Sequence, residues 1–343
     1  MTRYADMCRG ATPMSSAQTM HSENPIAAGL AGSGLGFECR VPPDGYRWWY
    51  VDGFSDCGRY GVTVIAFIGS VFSPYYFRAR SRGQTEAENH VSLNVILYGP
   101  HHARWCMTER GRSSLRQAPE RLDIGLSSVQ QTERGLRIEI NERATPWPRR
   151  VIGNIEVNCE PQREQCFQLD DRGEHWWWPI AALGSITVDM DQPALRWQGG
   201  AYVDSNFGAR PIETGFTSWN WCRGHVAGRG VQIHYDAQLR EGGEKQLSLA
   251  ASADGLLQRI ASPSLTQLPP GPIWRVARPA RLGFEDEANV TTLEDTPFYT
   301  RSRIDARYDS DTYFMHESLD LDRFRRPLVQ ALLPFRMPRR GNG

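Results

Sequence analysis

From Val41 onward the chain alternates short apolar or aromatic runs with turn residues, the signature of consecutive β-strands. Asp44-Gly45 makes a turn ahead of Tyr46-Arg-Trp-Trp-Tyr-Val51, a β-prone aromatic run. Gly61-Val-Thr-Val-Ile-Ala-Phe-Ile68 follows, then Ser73-Pro-Tyr-Tyr76, His90 to Tyr98 and Arg104 to Glu109. Leu136, Ile138 and Ile140 occupy alternate positions, which predicts a half-buried antiparallel strand, and another such run closes at Val157. Trp147, between Pro146 and Pro148, marks a rigid loop. Beyond residue 190 the plan restarts. Trp219-Asn-Trp-Cys-Arg223, a glycine-bearing turn and Gly228-Arg-Gly-Val231 echo Trp48-Trp-Tyr50 and Gly58-Arg-Tyr-Gly-Val62. The simplest account is two successive antiparallel β units of similar plan.

Within Val231 to Leu239 the odd positions are apolar, so His234 and Asp236 are expected to face outward. Arg301 to Arg307 alternates charges and reads as an edge strand. From Ser318 the pattern changes to capping residues and acids, then Leu and Phe at helical spacing, which predicts a C-terminal helix. That segment either docks on the second unit or forms a basic amphipathic anchor on a membrane surface. Residues 1–36, ending in Ala-Gly-Leu-Ala-Gly-Ser-Gly-Leu-Gly, read as an irregular lead-in. The expected division is lead-in 1–36, a first β unit 37–190, a second 191–317, and a helix with a basic tail 318–343.

Composition narrows the function classes. With 343 residues, 40% hydrophobic content and 11 Trp, the chain has the apolar surface for two cores. Lys plus Arg equals Asp plus Glu at 39 each, which gives no electrostatic reason to expect nucleic acid. Seven Cys lie scattered without a Cys-x-x-Cys, so neither a disulfide framework nor a zinc site is suggested and a reducing cytoplasm is expected. The longest apolar run, Val62 to Ile68, falls far below the roughly 20 residues that span a bilayer.

Candidate chemistry lies in residues 174–208. His175 and Trp177 are two apart, as are Tyr202 and Asp204, so in strands each pair shares a face. If the two segments lie together, an acid, an imidazole and two electron-rich rings surround one pocket. Pro179 and Gly199-Gly200 read as strand ends. The plainer alternative is a Trp-rich core edge with a hydrogen-bonded His and an exposed Asp.

Longer motifs carry a family resemblance. Tyr46-Arg-Trp-Trp-Tyr-Val-Asp-Gly-Phe-Ser-Asp56, Gly58 through Tyr76, Glu88-Asn-His90, Met107-Thr-Glu-Arg-Gly111 and Leu319 through Arg340 resemble the acyclic carotenoid 1,2-hydratases of photosynthetic purple bacteria, also called hydroxyneurosporene synthases. The resemblance spans roughly residues 40–340. It implies an all-β fold of two lipocalin-like antiparallel barrels with a short C-terminal helix. It also implies cofactor-free addition of water to the 1,2 double bond of substrates such as neurosporene and lycopene. The family's His-x-Trp and Tyr-x-Asp residues match His175, Trp177, Tyr202 and Asp204; Asn220 has no assigned role. Such substrates imply a cytoplasmic protein in peripheral contact with a membrane, and the oligomeric state is left open.

Hydrating a trisubstituted alkene takes a proton on one carbon and water on the more substituted one, through a tertiary cation. Asp204 as the acid would need its pKa raised about 3 units, which asks for roughly 4 kcal/mol of penalty on the charged form. Trp177 and Tyr202 can face the cation, and His175 can orient the water and take its proton. A protonated His175 as acid with Asp204 as base uses the same residues. The rival classes are a non-catalytic lipocalin-like carrier of carotenoid or lipid and a structural or stress protein of similar fold.

Overall fold

The computed structural model describes residues 34–340 except 163–164, 253, 283, 285–286 and 310. The chain is mostly β. The first sheet takes β1 (Tyr46–Ser55), β2 (Gly61–Ile68), β3 (Val91–Tyr98), β4 (Arg104–Met107), β5 (Leu115–Ala118) and β6 (Arg121–Ile124). It continues with β7 (Ser127–Thr132), β8 (Gly135–Arg143), β9 (Arg150–Cys159), β10 (Phe167–Gln168), β11 (His175–Gln192) and β12 (Leu195–Gly208). Its order is β4-β3-β2-β1-β12-β11-β9-β8-β7-β6-β5, with β10 paired to the start of β11. The sheet curls so that β3 nears β6 and β4 nears β8. Among the described residues its edges, β4 and β5, do not pair, so it forms a curled half-barrel where the family resemblance implies a closed barrel.

The second sheet comprises β13 (Phe216–Val226), β14 (Gly230–Leu239), β15 (Glu244–Ala251) and β16 (Leu257–Arg259). After the hairpin β17 (Leu265–Leu268) and β18 (Arg278–Arg281) come β19 (Ala288–Asp295), β20 (Tyr299–Ala306) and β21 (Tyr313–Asp320). The order is β16-β15-β14-β13-β21-β20-β19. The changeover between sheets lies in 209–215, whereas residues 190 and 191 sit at the end of β11, just before the turn into β12. The repeated motif has a structural counterpart. β1 pairs with the next strand and with β12, the last of its sheet; β13 pairs with the next strand and with β21, the last of its own.

Alternation along β1 and β2 feeds two cores. Trp49, Val51, Val62, Val64 and Ala66 fill the concave side with Ile138, Ile155 and Val188. Trp48, Tyr50, Phe54, Ile65 and Phe67 face the second sheet, against Trp219, Trp221, Ile233, Tyr235 and Leu319. Each ring buried there removes roughly 150–250 Å² from water, on the order of 4–6 kcal/mol at about 25 cal/mol per Å². The two sheets are therefore fastened by the same layer that houses the site described below.

Four expectations are corrected. Ser73-Pro-Tyr-Tyr76 opens a helix, α1 (Pro74–Arg80), because the Ser73 hydroxyl caps Tyr75 and Tyr76 and Pro74 suits the first turn. His234 is buried and Asp236 half-buried, because the β17–β18 hairpin covers that face; Asp236 is paired with Arg281 at 2.9 Å. β20 is internal, lying between β19 and β21, and Arg301 on it is enclosed with Glu294 and Glu317. The C-terminal segment forms two short helices, α3 (Leu321–Phe324) and α4 (Pro327–Leu332), because Ser318 to Asp320 complete β21 and Pro327 interrupts the run; α2 is the single turn Ile212–Gly215. Phe324, Val329, Leu333 and Met337 dock in the layer between the sheets. Residues 1–33 of the expected lead-in lie outside the described residues, while Leu35 is buried and its carbonyl accepts from Trp49 Nε1 at 2.9 Å.

Candidate active site

The site is built where β12 runs between β1 and β11. Asp204 stands opposite Tyr50 of β1, and Asn206 stands opposite both Trp48 of β1 and Trp177 of β11. Two departures from ideal pairing shape this region. Pro179, inside β11, coincides with a break in register between Trp178 and Ala181, since proline cannot donate to the ladder. Gly199 lies inside β12, where a Cβ would come 1.9 Å from the Phe54 carbonyl oxygen, so only glycine allows that approach. Both residues, expected at strand ends, are strand-internal.

Three of the four anticipated residues converge. Asp204 Oδ2 accepts from Trp177 Nε1 at 3.0 Å and from the Tyr202 hydroxyl at 2.9 Å. Asp204 Oδ1 is buried and has no hydrogen-bond partner. Burial raises the Asp204 pKa to about 8, against the lowering effect of those two donors, with Glu317 and Asp52 adding a smaller push upward. Burial also drives the Tyr202 phenol well above its ordinary value, so it keeps its proton and donates.

His175 is held elsewhere on the same sheet face. It pairs with Gly208, four residues from Asp204, which is about 13 Å along a strand. Its Nδ1 meets the Tyr46 hydroxyl at 3.0 Å, and its ring packs on Phe216. A Cβ at Gly215 would fall 2.5 Å from its unpartnered Nε2. Burial lowers its pKa to about 4, so the imidazole is neutral near pH 7.

Asp204 borders a cavity of about 50 Å³ walled by Trp48, Tyr50, Trp219, Trp221 and Tyr235. Sequence reasoning missed these rings as site residues, although their i,i+2 spacing in Trp48-Trp-Tyr50 and Trp219-Asn-Trp221 was the available signal. They meet across the two sheets, Trp48 to Trp219 at 6.1 Å and Tyr50 to Trp221 at 5.6 Å between centroids. Asn220 faces away from them and accepts from the Ser318 hydroxyl at 2.7 Å. Ile65, Phe67, Phe72 and Glu317 also wall a second cavity, of about 330 Å³, which runs toward Trp105, Trp274, Phe298 and Phe335. The two cavities adjoin at those shared walls, the smaller bordered by Asp204 and the larger reaching the exposed Trp274 and Phe335.

A buried, weakly acidic carboxyl group among aromatic rings, beside cavities lined mostly by apolar side chains, marks this region as the candidate site of a mostly β protein. The family profile for Carotenoid hydratase CrtC matches residues 64–343, and the chain belongs to that family. It is 47% identical over 307 residues to the acyclic carotenoid 1,2-hydratase of Thiocapsa roseopersicina, covering 89% of this chain and 76% of that protein. The namesake of Rubrivivax gelatinosus is 40% identical over 308 residues with the same coverage. That of Cereibacter sphaeroides is 39% identical over 281 residues, covering 81% of this chain and 98% of the relative. Among solved structures, the Nitrosomonas europaea protein assigned as AttH superposes with a TM-score of 0.50 at 12% identity, over 80% of this chain and 92% of that one, a likeness of fold.

Proposed function

We propose that this carotenoid hydratase, a hydro-lyase, protonates C2 of an acyclic carotenoid end group from Asp204 and adds water at C1. The observation that carries the assignment is the asymmetry of the carboxyl group. Oδ2 is occupied by two donors, so the acidic proton resides on Oδ1, the oxygen without a partner, in a residue that borders the cavity. Transfer of that proton to C2 leaves a tertiary cation at C1 and a carboxylate at Asp204. The electron pair of a water oxygen then forms the C1–O bond, and the surplus proton of that water returns to Asp204. The cycle is redox-neutral and regenerates the acid.

The walls of the small cavity support the cation step. Trp48, Tyr50, Trp219, Trp221 and Tyr235 offer π faces, whereas Trp177 and Tyr202 serve through their polar hydrogens as holders of the acid. His175 is a positioning residue in this scheme. Its neutral ring anchors the start of β11 to Tyr46, and its backbone N–H donates to Asp170 Oδ1 at 3.0 Å, which sets the register of Trp177 two residues on. A protonated His175 as the acid fits less well, given a pKa near 4 and an Nε2 turned to Gly215.

Purified protein incubated without oxygen in D₂O with lycopene or neurosporene is expected to yield a tertiary alcohol carrying solvent deuterium at C2. Tight binding of the polyene without turnover would instead identify a carrier. Trp221→Leu is expected to lower turnover roughly thirtyfold, the rate equivalent of about 2 kcal/mol of dry cation–π stabilisation. Trp221→Phe should lose less, because a weaker quadrupole remains. If both variants lose activity only in proportion to lost melting temperature, the ring is packing and not a cation wall.

A further inference from the structure

The larger cavity reaches the surface through two segments. Trp274 lines it from the loop after β17, and Leu332, Leu333, Phe335 and Arg336 line it from the chain's last helical turns. Arg323 ties the segments together by donating to the carbonyls of Trp274 at 2.6 Å and Arg275 at 3.2 Å. Trp274 and Phe335 are exposed while lining the cavity, so the channel opens between them. Ile273, next to Trp274 in the chain, is 75% exposed, and Leu328, one helical turn before the cavity-lining Leu332, is 70% exposed. Isolated exposed apolar residues are ordinary, but four around a channel mouth mark an interaction surface.

The exposed rim of this mouth is basic, while the carboxylate of Asp295 lies just inside and accepts from the backbone N–H groups of Ile273 and Trp274 at 2.6 and 3.2 Å. Arg275, Arg325, Arg326 and Arg336 are exposed on the same segments, and among the described residues no ion pair engages Arg275, Arg325 or Arg326. Of the nearby acids, Asp320 is paired with Arg323 and Asp322 with Arg240, and Asp295 is held by those two backbone N–H groups. No helix among the described residues is long and apolar enough to cross a membrane.

We infer that this mouth docks on an anionic bilayer surface. Ile273, Trp274, Leu328 and Phe335 enter the boundary between headgroups and acyl chains, and the arginines meet lipid phosphates. The inference rests on the hydratase reading for its cargo, since a polyene can then pass from bilayer to channel without crossing water. A cavity of about 330 Å³ is at the small end of the roughly 300–1,000 Å³ that holds drug-sized ligands. It seats an end group and part of the chain, and the rest of a tetraterpene stays in the acyl layer.

Co-sedimentation with substrate-free vesicles of phosphatidylcholine, with and without phosphatidylglycerol, tests the surface apart from the chemistry. Wild-type protein is expected on the anionic vesicles and to be released by high salt. Ile273→Ser with Leu328→Ser, and separately Arg325→Glu with Arg326→Glu, should each weaken partitioning roughly tenfold or more, at about 1 kcal/mol per basic residue and comparable apolar terms. Turnover of lycopene embedded in those vesicles should fall in parallel, while turnover of lycopene dispersed in detergent and the melting temperature stay unchanged. Wild-type protein that ignores anionic vesicles, or variants that bind them as wild type does, would overturn the inference. Vesicle binding with no turnover in either dispersion would leave the surface standing and remove the hydratase reading instead.

Discussion

Asp204→Asn is expected to abolish measurable turnover, a loss of 10²-fold or more as for other general acids, while making the protein harder to unfold. The two effects share one cause. Folding takes a carboxyl group with an ordinary pKa of 3.8 and raises it to about 8. At pH 7 the folded state therefore holds a proton that the unfolded chain has released, and taking it up costs as much as about 4 kcal/mol at 1.36 kcal/mol per unit. An amide of the same shape keeps an oxygen for Trp177 and Tyr202 and avoids that cost. The sign follows from proton counting. Between pH 4 and 8 the folded state binds more protons at this residue, so its contribution to stability declines as pH rises, and Asn removes the decline. Activity follows the protonated fraction, so wild-type turnover should hold below about pH 8 and fall tenfold per unit above it. Rates and melts of both proteins across pH test this. A variant with near-normal turnover, or a wild-type profile flat through pH 9, would remove Asp204 from the role of acid.

Local pattern carried most of this fold, and the packing of one sheet on another carried most of the site. Leu136, Ile138 and Ile140 alternate in sequence and are all buried in β8, because a strand with one solvated face writes its burial in the sequence. The i,i+2 logic also held for His175 with Trp177 and for Tyr202 with Asp204, which share the face turned to the second sheet. The same logic could not place His175 at a distance from Asp204, because register between strands depends on bulges such as the one beside Pro179. Nor could it separate β20 from an edge strand. Arg301, Arg303 and Asp305 look solvent-facing in isolation, yet Arg301 is buried against Glu294 and Glu317 arriving from β19 and β21, while Arg303 and Asp305 are half-buried and paired with each other. The aromatic wall was visible as Trp48-Trp-Tyr50 and Trp219-Asn-Trp221, read as an echo between two units. The cavity it lines depends on the two copies meeting face to face, which one-dimensional periodicity does not encode.

Those buried charges carry the second large effect. Arg301 is 1% exposed; its guanidinium donates to Glu317 Oε1 at 2.7 and 2.9 Å, to Glu294 Oε2 at 3.0 Å and to the Tyr98 hydroxyl at 2.6 Å. Arg301→Met fills similar space but leaves two carboxylates facing each other in an apolar layer, which is expected to destabilise the protein by about 3–5 kcal/mol. Adding Glu317→Gln removes one of the stranded charges and should recover part of the loss, so a double variant as unstable as the sum of the singles would contradict the pairing. The cluster also reaches the acid. Glu317 lines both cavities, and its charge is among the groups that raise the Asp204 pKa. Glu317→Gln alone leaves Arg301 paired with Glu294 and takes that push away, so the alkaline limit of turnover should move below about pH 8 while the protein stays folded. A profile that keeps its limit in Glu317→Gln would disconnect the ion cluster from the acid and leave it a structural feature alone.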